Sequence, residues 1–306
     1  MTISLLPRLL ALLLVLASPL CGGAQEVSYS PRWFGPHASP VPTVAPTELP
    51  TFPRLSTEGI VALGQAQHRS ATAFLDFELP LVASAASLRV YGYTFEAYDW
   101  AQDQSPKRPV APQRKSGIVF GDLYVQTRIR LLNEQPFWPA LVLNATLKTA
   151  SPATYEHYRY FDTPGYFFLL EFRKHLLRPS LEHLPSLALA GHVGFLCWET
   201  SGSLQNDAPT YQLSLLSTLG RWQAEVGIKG YHGWLEHKYG GDFGDTPLLS
   251  QVGLSCRLSP HLALQGRWEK GWHDYPYNTL SLGITYHLPW NSARWFSRQA
   301  ASTALP

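Results

Sequence analysis

Sulphur is scarce in this chain, with one methionine and three cysteines in 306 residues. Cys21 lies at the end of an apolar N-terminal run, so a processed chain keeps only Cys197 and Cys256. Their spacing leaves a disulfide open without establishing one. An excess of one charge sign is also missing: 24 Lys and Arg face 22 Asp and Glu. No basic run makes a nucleic-acid footprint, which excludes nucleic acid as a partner. Beyond the N-terminal run, no stretch approaches the roughly 18 continuous apolar residues of a helical membrane span. The remaining way across a bilayer is a closed barrel.

Catalytic and metal signatures are absent as well. There is no Gly-x-Ser-x-Gly elbow to mark a nucleophile, and the scattered Ser, His and acidic residues specify no hydrolase site. His192, His287 and Glu225 share one strand parity, but no compact His/Cys/Asp spacing supplies the ligands a metal needs. Asp242 and Asp245 sit in a Gly-rich turn without the EF-hand pattern. No enzyme, cofactor or metal is therefore expected.

At the N-terminus, Arg8 precedes an apolar run from Leu9 to Leu20, with small residues up to Ala24. This pattern predicts a signal peptide over 1–24. Ser18, Pro19 and Leu20 make a poor lipobox ahead of Cys21. Residues 25–56 are crowded with proline, including Pro31, Pro36, Pro40, Pro42, Pro46, Pro50 and Pro53. Proline donates no backbone N–H to a sheet, so this segment reads as an extended periplasmic lead-in. The alternative is a cover over a barrel opening, anchored by Trp33 and Phe34.

The dominant signal is alternation of polar and apolar residues. Trp222, Ala224, Val226 and Ile228 oppose Gln223, Glu225, Gly227 and Lys229. Leu280, Leu282, Ile284, Tyr286 and Leu288 oppose Ser281, Gly283, Thr285 and His287. Period two sustained over roughly 10 residues describes a strand long enough to cross a bilayer when tilted. Similar segments are Glu58–Gln67, Ala71–Leu79, Ala86–Tyr98, Ile118–Leu132, Trp138–Thr149, Gly165–Leu176, Ser186–Thr200, Pro209–Leu219, Arg221–Trp234, Pro247–Leu258, His261–Trp272 and Tyr277–Leu288. The expected fold is an all-β antiparallel transmembrane barrel of 12 strands over 57–288, with a tail over 289–306. An even strand count is the rule for single-chain bacterial barrels.

Link lengths point the same way. Trp100–Ser116, Ala150–Pro164, Ser201–Ala208 and Leu235–Thr246 all fall on one side, while Gly220 and Ser259-Pro260 make short turns on the other. The exceptions are the short His68–Ser70 and His273–Pro276 on the first side and the moderate Leu177–Pro185 on the second. Both barrel termini are then expected in the periplasm of an outer-membrane monomer surrounded by lipid. The competing fold is a soluble β-sandwich or lipocalin-like protein, in which the same alternation packs the opposite way.

Charges concentrate on the parity assigned to the lumen. The acids are Asp76, Glu78, Asp122, Glu171, Glu225 and Glu269. The bases are Arg89, Arg128, Arg130, Lys148, Arg173, Lys229, Arg257 and Arg267. Mixed signs at similar numbers suit cross-strand ion pairs. The same residues suit a wet path that selects small solutes, so a solute-passing barrel and a sealed structural or interaction barrel both remain open.

Five motifs extend the reading: Gly121-Asp122-Leu123-Tyr124, Leu147-Lys148-Thr149-Ala150-Ser151, Asp162-Thr163-Pro164-Gly165-Tyr166-Phe167, Gln205-Asn206-Asp207-Ala208 and Asp274-Tyr275-Pro276-Tyr277-Asn278. On these the chain resembles a Bacteroidetes family of outer-membrane barrels without assigned function. Around Gly121-Asp122-Leu123 it is more loosely similar to barrels of a MetA-pathway phenol-degradation family. That second resemblance implies passage of small apolar or aromatic compounds and supplies no catalytic residues. The residues after Pro289 depart from a porin-like ending, in which the last strand closes the chain.

Overall fold

The computed structural model describes residues 34–44, 48–64, 68–100, 115–151, 159–161, 163–178, 184–200, 204–235 and 244–289. The expected signal peptide, Trp33, Asp162, Asp242 and the C-terminal tail beyond Pro289 lie outside them. The alternating segments form thirteen strands: β1 (Arg54–Gly64), β2 (Arg69–Val82), β3 (Ala86–Asp99), β4 (Ser116–Val119), β5 (Leu123–Leu132), β6 (Ala140–Lys148), β7 (Gly165–Leu177), β8 (Ser186–Thr200), β9 (Leu204–Leu219), β10 (Trp222–Tyr231), β11 (Leu248–Arg257), β12 (Leu262–His273) and β13 (Tyr277–His287).

Each strand pairs antiparallel with its neighbours. The first pairs with the last, from Arg54↔His287 to Gly64↔Tyr277, which closes the ring. Strands β4 and β5 both lie against β3, one beyond the other, and are two halves of one barrel strand. The ring is thus a closed antiparallel barrel of twelve strands. We call the end holding Arg54 and His287 the near rim, and the end holding Gly64 and Tyr277 the far rim.

Closure orients the alternation. On β13, Leu282 is 66 % exposed while its neighbour Ser281 is 9 % exposed. Val226, Val252, Leu254, Leu280 and Ile284 are likewise exposed, whereas Gln126, Asn144, Thr146, Gln212 and Gln251 are buried. Apolar side chains outside and polar ones inside reverse the packing of a sandwich or lipocalin. Such an exterior is stable against hydrocarbon and costly against water. Exposed aromatics flank the apolar band at both ends: Trp138, Trp222 and Tyr286 near one rim, Phe95, Tyr166 and Trp272 near the other. Amphipathic rings favour the membrane–water interface.

Among the boundaries that differ from the sequence reading, three have a visible cause. Strand β1 begins at Arg54 instead of Glu58, because pairing with β13 continues past the point where alternation weakens. Strand β2 continues through Pro80 to Val82, where an irregular register beside Ser87 relaxes the ladder around the missing N–H. The expected link over Ser201–Ala208 is mostly strand, since Leu204–Ala208 pairs with Leu196–Thr200. These residues project beyond the apolar band, so polar residues occupy both faces and alternation disappears.

The largest correction concerns the proline-rich segment. Its described part lies inside the barrel, not beneath it. Tyr277 Oη donates to the Phe34 carbonyl at the far rim (2.7 Å), and Tyr231 Oη to that of Ser39 (3.3 Å). Lys229 Nζ donates to Thr43 Oγ1 (2.6 Å), and the Val44 amide to Gln212 Oε1 (2.9 Å). Arg173 then meets Glu48 (3.2 Å), and the Leu288 amide reaches the Pro53 carbonyl at the near rim (2.8 Å). The segment therefore runs the length of the lumen before β1 returns along the wall. Proline suits this path: each one removes a donor that would need a partner away from bulk water.

Candidate functional site

The lumen has three parts. At the far rim, the N-terminal segment and the links pack into an apolar lid. Phe34 packs tilted against Phe161 with centroids 4.0 Å apart, and His37 stacks on Tyr93 at 4.0 Å. Arg159 pairs with Glu96, and its guanidinium lies over Trp100 (4.6 Å) and Tyr98 (5.0 Å). The Gly35 amide donates to the Arg159 carbonyl (3.1 Å). A Cβ at Gly35 would stand 2.8 Å from that oxygen, so only glycine permits the approach. Lys148 ties the link before β7 into place through the Phe161 and Thr163 carbonyls (3.0 and 2.6 Å), while pairing with Asp122 (3.1 Å).

The second part is an ion-pair network on the wall of β1–β3 and β5–β7. Arg89 grips Asp76 with two hydrogen bonds (2.7 and 3.1 Å). Arg54 reaches Glu78 (2.7 Å) and Asp76 (3.4 Å). Arg128 bridges Glu78 (2.8 Å) and Glu171 (3.1 Å), and all three of those side chains are fully buried. Ser87 and Asn144 donate to Glu78 and Glu171 (2.6 and 3.0 Å), and Gln126 accepts from Arg89 (3.1 Å). Three guanidiniums match three carboxylates. Paired and hydrogen-bonded charges of this kind tolerate burial, whereas removing one partner strands the others.

The third part is a cavity of about 420 Å³ that runs between the N-terminal segment and both walls, lined by Asp76, Arg89, Tyr91 and Tyr124 on one side and by residues of β9–β13 on the other. It extends towards the near rim, where Gln223, Ser255 and Thr285 line it. Lys229 pairs with Glu269 (2.7 Å) beside the segment. Glu225 accepts from Gln251 (2.5 Å) and Gln212 (3.4 Å), and Glu58 accepts from Gln265 (2.7 Å). Arg267 lines the same space and makes no hydrogen bond or ion pair among the described residues.

Most of the charges read as lumenal in the sequence do face inward. Asp76, Glu78, Arg89, Arg128 and Glu171 join one network; Glu225, Lys229, Arg267 and Glu269 line the opposite wall. Asp122 and Lys148 hold the far-rim link, and Arg173 meets the N-terminal segment. Arg130 instead turns onto Asn133 in the near-rim link (3.0 Å), and Arg257 is exposed at the end of β11. At a strand end, parity no longer directs a long side chain into the lumen. His192 is buried against Thr210 (3.3 Å). Among the described residues, no three His, Cys, Asp or Glu side chains form a metal-binding group.

Sequence reasoning missed Arg54, Glu58, Glu96, Arg159 and Glu48. The first two lie where alternation is weak. Glu96 follows a register shift at Ala73/Phe74 that reverses the parity of β3, a change that pattern alone conceals. Arg159 and Glu48 belong to links, and only the apolar Phe34, Val41 and Leu49 among the prolines signal that their neighbourhood is packed.

No family model and no curated protein matches the chain. Among solved structures it is similar to LpxR from Salmonella typhimurium, at 12% identity and a TM-score of 0.47, over 76% of this chain and 100% of that one. It is also similar to the KdgM porin in complex with disordered oligogalacturonate, at 9% identity and a TM-score of 0.45, over 77% and 99% of the two chains. The transport unit of the autotransporter AIDA-I from Escherichia coli is similar at 9% identity and a TM-score of 0.44, over 80% and 93%.

Proposed function

We propose that this chain is an outer-membrane barrel that binds or passes small polar solutes and is held closed by its own N-terminal segment. The apolar exterior with aromatic rims supports the membrane setting. Pairing of β1 with β13 leaves no open sheet edge, which suits a monomer surrounded by lipid. A passage role requires no catalytic group, and we assign none.

The observation that carries the reading is the path of residues 34–44 and 48–53 through the lumen, beside a polar cavity of about 420 Å³. Carboxylates, guanidiniums and amides line that cavity together with the rings of Phe74, Tyr91, Tyr93, Tyr124, Phe167 and Tyr275, and the charged groups among them support a polar solute. Tyr231, Lys229, Gln212 and Arg173 tether the segment by single hydrogen bonds or one ion pair. Such contacts contribute on the order of 1 kcal/mol each, which suits a segment that can leave.

Single-channel recording in planar bilayers tests this. The full chain should show little conductance, and a variant lacking residues 34–50 should show larger, stable steps. A folded deletion variant that never conducts would sink the passage reading in favour of a sealed structural barrel.

A further inference from the structure

We infer that the residual cavity is a binding site for a small zwitterion, with its anionic end on Arg267 and its cationic end on Glu225. This rests on the reading above that the lumen admits polar solutes, and it names their class.

Register places the groups. Glu225 on β10 is opposite Gly253 on β11, which is opposite Arg267 on β12, itself opposite Ser281 on β13. The backbones of Glu225 and Arg267 are therefore two strand spacings apart, about 10 Å. The residue between them has no side chain. A Cβ built at Gly253 meets nothing closer than 3.6 Å, and its nearest neighbours are atoms of Glu225 itself. Ser281 on the other flank is small. The wall thus holds an acid and a base with a gap between them, where a bulky residue would have filled the space.

The charge state of the gap is unlike the rest of the lumen. Arg54, Arg89, Arg128 and Arg159 each hold at least one carboxylate in an ion pair. Arg267 holds none among the described residues, and it lines the cavity. Glu225 and Glu58 are oriented from behind by glutamine amides, which position a carboxylate without neutralising it. Lys229 and Glu269 already satisfy each other at the edge of the space.

A simple anion at Arg267 would lie near three carboxylates, and a simple cation at Glu225 or Glu58 would meet the field of Arg267. A molecule carrying both charges completes both ends at once, and a guanidinium fork matches a carboxylate with two hydrogen bonds. The cavity falls within the usual range of small-molecule sites, roughly 300–1,000 Å³. An α-amino acid is the simplest molecule of this class.

Titration calorimetry on the purified full chain in detergent, with L-serine as the probe, tests the assignment. Acetate, ethylammonium and glycerol serve as single-charge and neutral controls. Serine should bind at least tenfold more tightly than any control, and Arg267→Gln and Glu225→Gln should each weaken it at least tenfold. Arg130→Gln, at the near rim, should leave it unchanged. Equal binding of acetate and serine, no serine binding to the folded chain, or serine binding indifferent to both lumen variants would each overturn the site. If either variant misfolds, Gly253→Leu, which fills the gap without removing a charge, should abolish binding in its place; retained binding would count against the site. Calorimetry reads binding without transport. A chain that binds serine but never conducts refutes passage alone, and one that conducts without binding serine refutes this site alone.

Discussion

The two walls of the lumen use similar residue types to opposite ends. On the wall of β1–β3 and β5–β7, three arginines and three carboxylates pair with one another, with Arg128, Glu78 and Glu171 fully buried. On the wall of β9–β13, Arg267 has no such partner and Glu225 takes only amide donors. A barrel strengthened by paired charges on one side can keep incompletely paired charges on the other. Lumenal charge by itself therefore does not say whether a barrel is sealed.

The largest effect that would break this contrast is Arg128→Gln. Losing the shared guanidinium takes one ion pair from Glu78 and one from Glu171, both fully buried, and should cost about 3–5 kcal/mol in reversible denaturant unfolding in detergent. Arg267→Gln should cost clearly less, because no carboxylate is in an ion pair with that group among the described residues and none is left stranded by its loss. Equal losses in the two variants would show that both walls are structural.

Next in size is the seat of the N-terminal segment. Gly35→Val presses a side chain against the Arg159 carbonyl, so it should loosen the far end and raise conductance several-fold. Unchanged traces would place the closure elsewhere. A related measurement uses a thiol in place of Thr43. A membrane-impermeant reagent should reach it far more slowly in the full chain than in Lys229→Gln, which removes its tether.

The smallest effect lies at the near rim, in the link between β5 and β6. Burial pushes the Glu134 carboxyl up, but hydrogen bonds from His175 and the charges of His175 and Arg178 outweigh it and hold the pKa at about 2. A lowered folded-state pKa means the contribution is complete above the ordinary value of 4.5 and disappears as pH falls towards 2. Because Arg178 is largely exposed, the contribution should stay below about 1 kcal/mol. Glu134→Gln should flatten the stability profile across that window. An identical slope in wild type and variant would count against the pairing.

The walls were the legible part of this protein. The expected Ser186–Thr200 coincides with β8, and Gly165–Leu176 falls one residue short of β7. In those stretches every second side chain faces hydrocarbon and must be apolar. The pattern fades where that constraint ends, as in Leu204–Ala208 beyond the band and at Arg54–Thr57 near the rim. Inward parity found the charges but not their partners, because pairing depends on which strands lie side by side and how far each side chain reaches. The segment from Phe34 to Pro53 was the least legible. It obeys no period, and its prolines suit an exposed linker as well as an extended strand-free path through a polar lumen.

That path also orders the events of assembly. Residues 34–44 and 48–53 precede the barrel in the chain, yet the channel they occupy exists only once β1 meets β13, the pairing most distant in sequence. Distant pairings carry the greatest loop-closure entropy and tend to form late. A segment made before the barrel is thus among the last to find its place. Hydrogen-exchange protection of the Val44 amide, which donates to Gln212, becomes a clock for closure of the seam: it should appear with the β1–β13 ladder and never before it.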